Sequence, residues 1–379
     1  MRTLDGKPSR RFAPVLGEIT LRPRPIYARS RAILVTPQLD SGALGYLACI
    51  TSGSRGRFFH PDHLHNVCGL EQLHEGDIVR LSGDGQAHVL WEADSAQNAF
   101  LLTEACNCRC VMCPQPPSSH NPAFLQEAHA VLDLLRGRSI DQICLTGGEP
   151  TLLGNAFVEL LDRCVREHPQ ARIDILTNGK TFADRDFAAR VAQAASTNVL
   201  FCVSLHSEVD SLHDTLVGAS GSYIATQQGI YHLAEYGCRV EIRHVISRIN
   251  APHLQSFAEH IYNYFPFCEH YAFMGLELYG NAAQNRELVD ISPQQYRQEL
   301  RSAVLALYRR GLPVSVYNIP LCLCAPEIMP FARQSISSWK NIYPPQCGAC
   351  GRKKDCSGFF GTSVSLPLDH IHPLKKEGE

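Results

Sequence analysis

A chain of 379 residues is long enough for two or three domains and a substantial core. With 45% hydrophobic and 19% charged residues it is not an intrinsically disordered chain, and a formal net charge of −2 argues against a general nucleic-acid binder. No run approaches the length of a membrane span and no secretory h-region opens the chain, so its sixteen cysteines read as free thiols in a reducing cytoplasm, many of them metal ligands. The predicted location is therefore cytoplasmic, with neither nucleic acid nor membrane among the partners.

Residues 1–30 carry Arg2, Lys7, Arg10, Arg11, Arg22, Arg24 and Arg29 among several prolines. This predicts a solvated basic arm, with a docking strand for an acidic peptide or partner as the alternative. From 31 to 98, short β-like runs at 32–36, 46–50, 75–81 and 88–91 alternate with turn residues and predict a small β-rich domain. Within it His60, His63 and His65 lack cysteine or carboxylate partners at matching spacing. They read as a polar loop rather than a metal site.

The pattern changes at residue 99 to regular alternation of strand and helix. Strand candidates fall at 99–102, 142–145, 173–176, 199–205, 240–246 and 271–277. Asn121-Pro122 predicts an N-cap followed by proline at the first helical position, in a helix that Gly137 ends. Further helices are predicted at 155–167, 182–195, 222–236, 252–264 and 293–310. Such alternation implies a parallel sheet with right-handed crossovers, spanning 99–311.

Between the first strand and the first helix lies Cys106-Asn107-Cys108-Arg109-Cys110-Val111-Met112-Cys113, four thiols in eight residues. Three of them are spaced C-x3-C-x2-C. Thiolates are soft ligands of iron–sulfur clusters, and Cys106, Cys110 and Cys113 can hold three irons of a cubane, leaving the fourth open for chemistry. The second strand ends in Thr146-Gly147-Gly148-Glu149-Pro150, where two glycines let a ligand approach the backbone and Glu149 offers a carboxylate to a cation. The third ends in Thr177-Asn178-Gly179. On the fourth, Phe201, Val203 and Leu205 share one face, while Cys202, Ser204 and His206 share the other, which would face the interior. On the fifth, Arg243 either grips a carboxylate ligand or pairs with Glu241.

After the barrel-like portion, residues 312–379 carry Cys322, Cys324, Cys347, Cys350 and Cys356. Cys347, Cys350 and Cys356 with one of the first pair, taken as Cys322 with Cys324 open, complete four thiolates. A tetrathiolate zinc site and an iron–sulfur cluster are both compatible with that set. Cys49, Cys68, Cys144, Cys164, Cys202, Cys238 and Cys268 are scattered and read as core thiols.

The loop spacing resembles the signature of the radical S-adenosylmethionine (SAM) superfamily, C-x3-C-x-Φ-C, with Met112 at the usually aromatic position. The run Asn107 to Pro117 looks most like the radical SAM maturase of the His-Xaa-Ser peptide system. Cys108 is an extra thiol, and the ligand choice follows the family spacing. The resemblance implies a partial (βα)6 barrel whose [4Fe-4S] cluster, with one open iron, reductively cleaves SAM to methionine and a 5′-deoxyadenosyl radical. It also implies SAM contacts at Gly147, Gly148 and Glu149 (the GGEP motif), Asn178, Ser204 and Arg243. The C-x2-C-x5-C spacing resembles the auxiliary-cluster region of peptide-modifying members. The next expected cysteine is replaced by Phe360, which implies one auxiliary [4Fe-4S] cluster. The implied partners are a ribosomal precursor peptide, a second radical SAM maturase and a one-electron reductant. The alternatives are a radical SAM enzyme acting on a nucleoside, lipid or other small molecule, and a non-catalytic electron-transfer protein. Cys108, His206 and Tyr279 are candidates for a proton donor or radical relay.

Overall fold

The computed structural model describes residues 2–54, 60, 62–337, 340–363 and 371–375. Two compact units emerge: one of Met1–Leu102, Pro122–Leu145 and Arg166–Arg172, the other of Thr103–Asn121, Thr146–Val165 and Ile173–Glu379.

The first unit is built on a mixed sheet of eight strands: β1 (Arg2–Asp5), β2 (Lys7–Pro8), β3 (Val15–Thr20), β4 (Ala32–Thr36), β5 (Ala48–Thr51), β6 (His63–His65), β7 (Ile78–Leu81) and β8 (Gln86–Trp91). Their order is β1-β8-β7-β3-β4-β5-β6-β2. Alternating apolar residues supply its core, which includes Ile19, Ile33, Ile50, Leu64 and Val79. The expected solvated arm is corrected here, because residues 2–5 and 15–20 are strands of this sheet. The basic residues find carboxylate partners: Arg2 pairs with Glu92, and Arg24 with the nearby Glu18 and with Glu75. His63 bonds Ser9 and Thr51 at 2.9 Å each, and His60 bonds the Tyr46 carbonyl at 3.0 Å, so these rings meet protein partners.

The same unit includes β9 (Asn98–Leu101), α1 (Ala123–Leu135) and β10 (Gln142–Thr146). The boundary expected at 98/99 thus does not coincide with the compact units. Helix α1 buries Ala128, Val131, Leu132 and Leu135, and its cap is Pro122 rather than Asn121. Arg80 pairs with Glu127 on the helix, and Arg138 just after it reaches Glu18 at 2.6 Å.

The second unit carries α2 (Asn155–Glu167), β11 (Arg172–Thr177), α3 (Arg185–Ala194), β12 (Val199–Ser204), α4 (Asp210–Val217), α5 (Ser222–Glu235), β13 (Arg239–Val245), α6 (Leu254–Tyr264) and β14 (His270–Met274). Then follow α7 (Asn281–Gln284), α8 (Arg286–Val289), α9 (Arg297–Arg309), β15 (Val314–Tyr317), β16 (Ala332–Arg333), β17 (Asn341–Ile342) and β18 (Phe359–Phe360). Strands β11 to β16 lie side by side in chain order and every adjacent pair is parallel. The chain therefore has a mixed α/β fold, a parallel-stranded domain following a β-rich region. β15 and β16 are strands, and α4 a helix, that the periodicity did not announce. Helix α3 starts at Arg185 rather than 182 because Asp184 caps it, accepting from Asp186 N at 2.9 Å and Phe187 N at 3.1 Å.

On β12, Phe201 meets Phe182 edge-on at 5.6 Å, while Cys202 stands beside Glu241 and Ser204 beside Arg243 on the neighbouring strand. The strand ends at Ser204, so His206, expected on the same face as Cys202 and Ser204, lies beyond it.

Candidate functional site

The cysteine loop is seated by backbone. Gly148 N donates to Thr103 O at 2.7 Å and Glu149 N to Ala105 O at 2.8 Å. A Cβ on Gly147 would lie 2.4 Å from Thr103 O, and one on Gly148 would lie 2.4 Å from Ala105 O and 2.7 Å from Glu104 O. The glycines thus let the segment that delivers Cys106 lie directly on the turn of residues 147–148. On its other flank the loop is strapped to α4, with Arg109 N and Val111 N donating to Val217 O and Leu216 O. Gly218, at φ +62°, ends α4 against Arg109 O. Beyond β14, Asn281 N donates to Cys113 O at 2.9 Å. Its side chain donates to Cys110 O at 3.0 Å, and that of Asn285 to Val111 O at 3.0 Å. Met112 packs with Leu216, Ala282 and Val289, so the position is a core anchor.

Glu149 differs from its expected use. Its carboxylate is fully buried and accepts from Thr151 N and Oγ1, Thr177 Oγ1 and Asn178 N, at 2.5 to 3.2 Å. Burial raises its pKa against the pull of those donors. The side chain buckles its own turn, at Thr151, to the end of β11 at Thr177 and Asn178. Asn178 is placed at the cysteines, its Nδ2 being 2.6 Å from Asn107 Oδ1, 3.5 Å from Cys108 Sγ and 3.9 Å from Cys106 Sγ. Lys180, unnoticed in the sequence, adds its ammonium 3.8 Å from Cys108 Sγ and 3.3 Å from Asn107 O.

The thiols have the chemistry of a cation-seeking set. A hydrogen bond shared with Cys108, then burial, holds the Cys106 thiol up, while the same bond pulls Cys108 down. Burial and the neighbouring sulfurs push Cys110 up to about 12, and burial also raises Cys113. Among the described residues no three His, Cys, Asp or Glu side chains converge on a single-ion point. What the loop provides is three neighbouring thiols held protonated until a cation displaces their protons, with N–H donors beside them, which suits an iron–sulfur group.

Along the inner face, Ser204 adjoins Arg243, and Arg243 Nε stands 3.1 Å from Glu241 Oε1. Arg243 thus pairs with Glu241 on its own face. Glu241 Oε2 also meets His270 Nδ1 at 2.8 Å, and His270 Nε2 meets Ser315 Oγ at 3.0 Å. Burial opposes ionisation of Glu241, but the His270 bond and the Arg243 charge outweigh it and lower its pKa. His206 leaves this face. It is buried against His213 and His244, and burial followed by those two rings puts its pKa well below the ordinary value. Tyr279 is exposed.

Four of the five C-terminal cysteines share a pocket. Cys322, Cys347, Cys350 and Cys356 line one pocket with Tyr343 and Lys353, and Cys324 does not. Leu321 N and Gly358 N donate to Cys356 Sγ at 3.3 and 3.4 Å, and Leu374 N to Cys350 Sγ at 3.4 Å. Burial raises Cys322 to about 11, with Cys356 and Cys347 adding to it, and raises Cys324 to about 12. Cys324 is enclosed, and its carbonyl accepts from Arg297 at 2.8 Å. Four thiols around one pocket, with N–H donors on the sulfurs of Cys350 and Cys356, fit a thiolate-bound metal group.

Residues 100–261 match the Radical SAM superfamily. The chain is 27% identical over 176 residues to the Fe-coproporphyrin III synthase of Methanosarcina barkeri (strain Fusaro / DSM 804), a match covering 46% of this chain and 40% of that protein. Among solved structures it is similar to Streptococcus suis SuiB bound to S-adenosylmethionine (TM-score 0.49, 14% identity), with 58% of this chain and 50% of SuiB covered. It is also similar to a radical SAM methyltransferase from Sphaerobacter thermophilus (TM-score 0.44, 19% identity), with 64% and 73% covered. The match thus spans less than half of the curated relative and half of SuiB.

Proposed function

We propose that this chain, whose residues 100–261 form a radical SAM superfamily domain, is a peptide-modifying radical SAM enzyme. Enzymes of this superfamily use a [4Fe-4S] cluster and SAM. Bound at the loop, that pair supplies reductive cleavage of SAM to methionine and a 5′-deoxyadenosyl radical, which takes hydrogen from the substrate. Cys106, Cys110 and Cys113 hold the cluster in this reading. Asn178 places a neutral amide donor and Lys180 a cationic one at the loop sulfurs. The backbone of Gly147, Gly148 and Glu149 receives the amino group of SAM, and Glu149 acts through its buckle on Thr177 and Asn178. Ser204 and Arg243 border the space for the remainder of SAM, with Arg243 oriented by Glu241.

The observation that carries the reading is the close seat of Thr103 to Ala105 on Gly147 and Gly148, which joins the cysteine loop to the GGEP turn. A peptide substrate of the His-Xaa-Ser type is supported by the run Asn107 to Pro117 and by the C-terminal thiols. In this reading Cys322, Cys347, Cys350 and Cys356 hold one auxiliary [4Fe-4S] cluster. A precursor peptide, a second maturase and a one-electron reductant are then the partners. The likeness to a coproporphyrin synthase supports a second reading, a small-molecule substrate. No helix among the described residues is long and apolar enough to cross a membrane.

The test is anaerobic reconstitution, an iron count and a 5′-deoxyadenosine assay with reductant and SAM. Two probes are compared, a synthetic peptide bearing His-Xaa-Ser repeats and an iron tetrapyrrole precursor of Fe-coproporphyrin III, the product for which the curated relative is named. Stimulation by the peptide alone, lost in Cys106→Ala/Cys110→Ala/Cys113→Ala, is expected. Stimulation by the tetrapyrrole alone would move the substrate to the second reading. No deoxyadenosine from an iron-loaded chain under any condition would refute the radical mechanism.

A further inference from the structure

Residues 371–374 form one wall of the pocket that Cys322, Cys347, Cys350 and Cys356 line. They are held there by a two-way backbone clasp. Leu374 N donates to Cys350 Sγ at 3.4 Å, and Gly351 N donates to Leu374 O at 2.8 Å. A third tie joins the backbone of His372 to Cys322. Ile371 is 7% exposed, so the stretch is also anchored by apolar burial. Segments near a chain end are tied down only where something holds them, and here the ties converge on two thiols of one set.

A sulfur that accepts an N–H bond is stabilised as thiolate, and such bonds tune a cluster and its retention. Outer-shell partners of this kind typically alter metal affinity by about 10- to 100-fold. We infer that residues 371–374 are the closing wall of the C-terminal metal centre, excluding solvent from its thiolates, with Leu374 N–H a donor that slows loss of the metal through Cys350. The inference rests on the reading that these four thiols hold a metal group, and it concerns the wall rather than which metal is held.

The test uses the whole chain carrying Cys106→Ala/Cys110→Ala/Cys113→Ala, so that metal resides only at the C-terminal centre. Four forms are reconstituted: this parent, Leu374→Ala, Leu374→Pro, and the chain lacking residues 371–379. The metal content of each is measured, then the rate of metal transfer to an excess of a colorimetric chelator. Leu374→Ala keeps the N–H and Leu374→Pro removes it. Release about 10-fold faster from the proline variant than from the alanine variant, and at least as fast from the shortened chain, is expected. Equal release from alanine and proline variants, with the shortened chain no faster than the parent, overturns the inference. If the shortened chain fails to fold, the alanine–proline comparison decides alone. About four irons per chain sustain the auxiliary-cluster reading, whereas one zinc refutes it. The release rates judge the wall in either case.

Discussion

Gly148→Ala probes the seat of the cysteine loop most directly. The new Cβ would stand 2.4 Å from Ala105 O, 2.7 Å from Glu104 O and 2.8 Å from Ala105 C, all backbone atoms of one segment. No side-chain rotation relieves such contacts, so residues 104 and 105 must retreat. The hydrogen bonds from Gly148 N to Thr103 O and from Glu149 N to Ala105 O, at 2.7 and 2.8 Å, go with them. Overpacking costs about 1–3 kcal/mol, and each backbone bond about 1 kcal/mol, so a loss of roughly 3–5 kcal/mol is expected. Gly361→Ala is the control, because its Cβ would meet nothing closer than Lys340 O at 3.6 Å. Urea unfolding of the metal-free chain reads stability, and iron counting after reconstitution reads the site. The expected result is a lower midpoint with iron falling from about eight to about four, the C-terminal centre keeping its share. A midpoint within about 0.5 kcal/mol of the parent together with full iron would refute the reasoning.

The sequence leaves Cys322 and Cys324 as alternatives, and the pocket favours the first. Cys322→Ala should lose the C-terminal iron, whereas Cys324→Ala should keep it, as read by iron and sulfide analysis. Asn281→Ala and Asn285→Ala each remove a bond to a loop carbonyl and should cost about 1 kcal/mol while speeding chelator removal of the first cluster. Unchanged release in the double variant would show that the loop holds itself. Burial lowers His213 to about 4 and His244 to about 3. The unfolded chain then binds these protons first, near pH 6.5, so their contribution is full above 6.5 and is lost as pH falls towards 4 and 3. The slope is about 1.4 kcal/mol per pH unit for each ring, and His213→Gln should flatten the decline in urea midpoint between pH 6.5 and 4.5. An unaltered slope would refute the assignment.

Local chemistry was legible where local chemistry decides. The C-x3-C-x2-C loop, the two glycines after β10 and the alternation of β12 are each written within ten residues, and their elements stand close to where the pattern put them. Residues 1–30 misled because a row of arginines looks solvated until Glu18, Glu75 and Glu92 are folded beside it. Asn281 and Asn285 carry no signal at all, since a donor to a loop carbonyl 171 or 174 positions away looks like any polar helix residue. Lys180 was within reach, because it follows the Thr177-Asn178-Gly179 turn already marked as facing a ligand. β15 was missed because its four residues are too short to outweigh the helix before it. Glu149 shows the limit of motif reading: its position was legible, but the four donors around it come from the turn itself and from the next strand end.

The asparagine ties also set a clock. A nascent chain has made all four loop cysteines long before Asn281 exists, and synthesis at about 5–20 residues per second leaves them waiting roughly 10 to 30 seconds. Through that interval the loop lacks the carbonyl partners that fix Cys110 and Val111, and the thiols are more open to oxidation and to stray metal than they will ever be again. If the loop takes the proposed cluster, its loading belongs to late or completed synthesis, and a cell making this protein must keep its half-finished chains reduced.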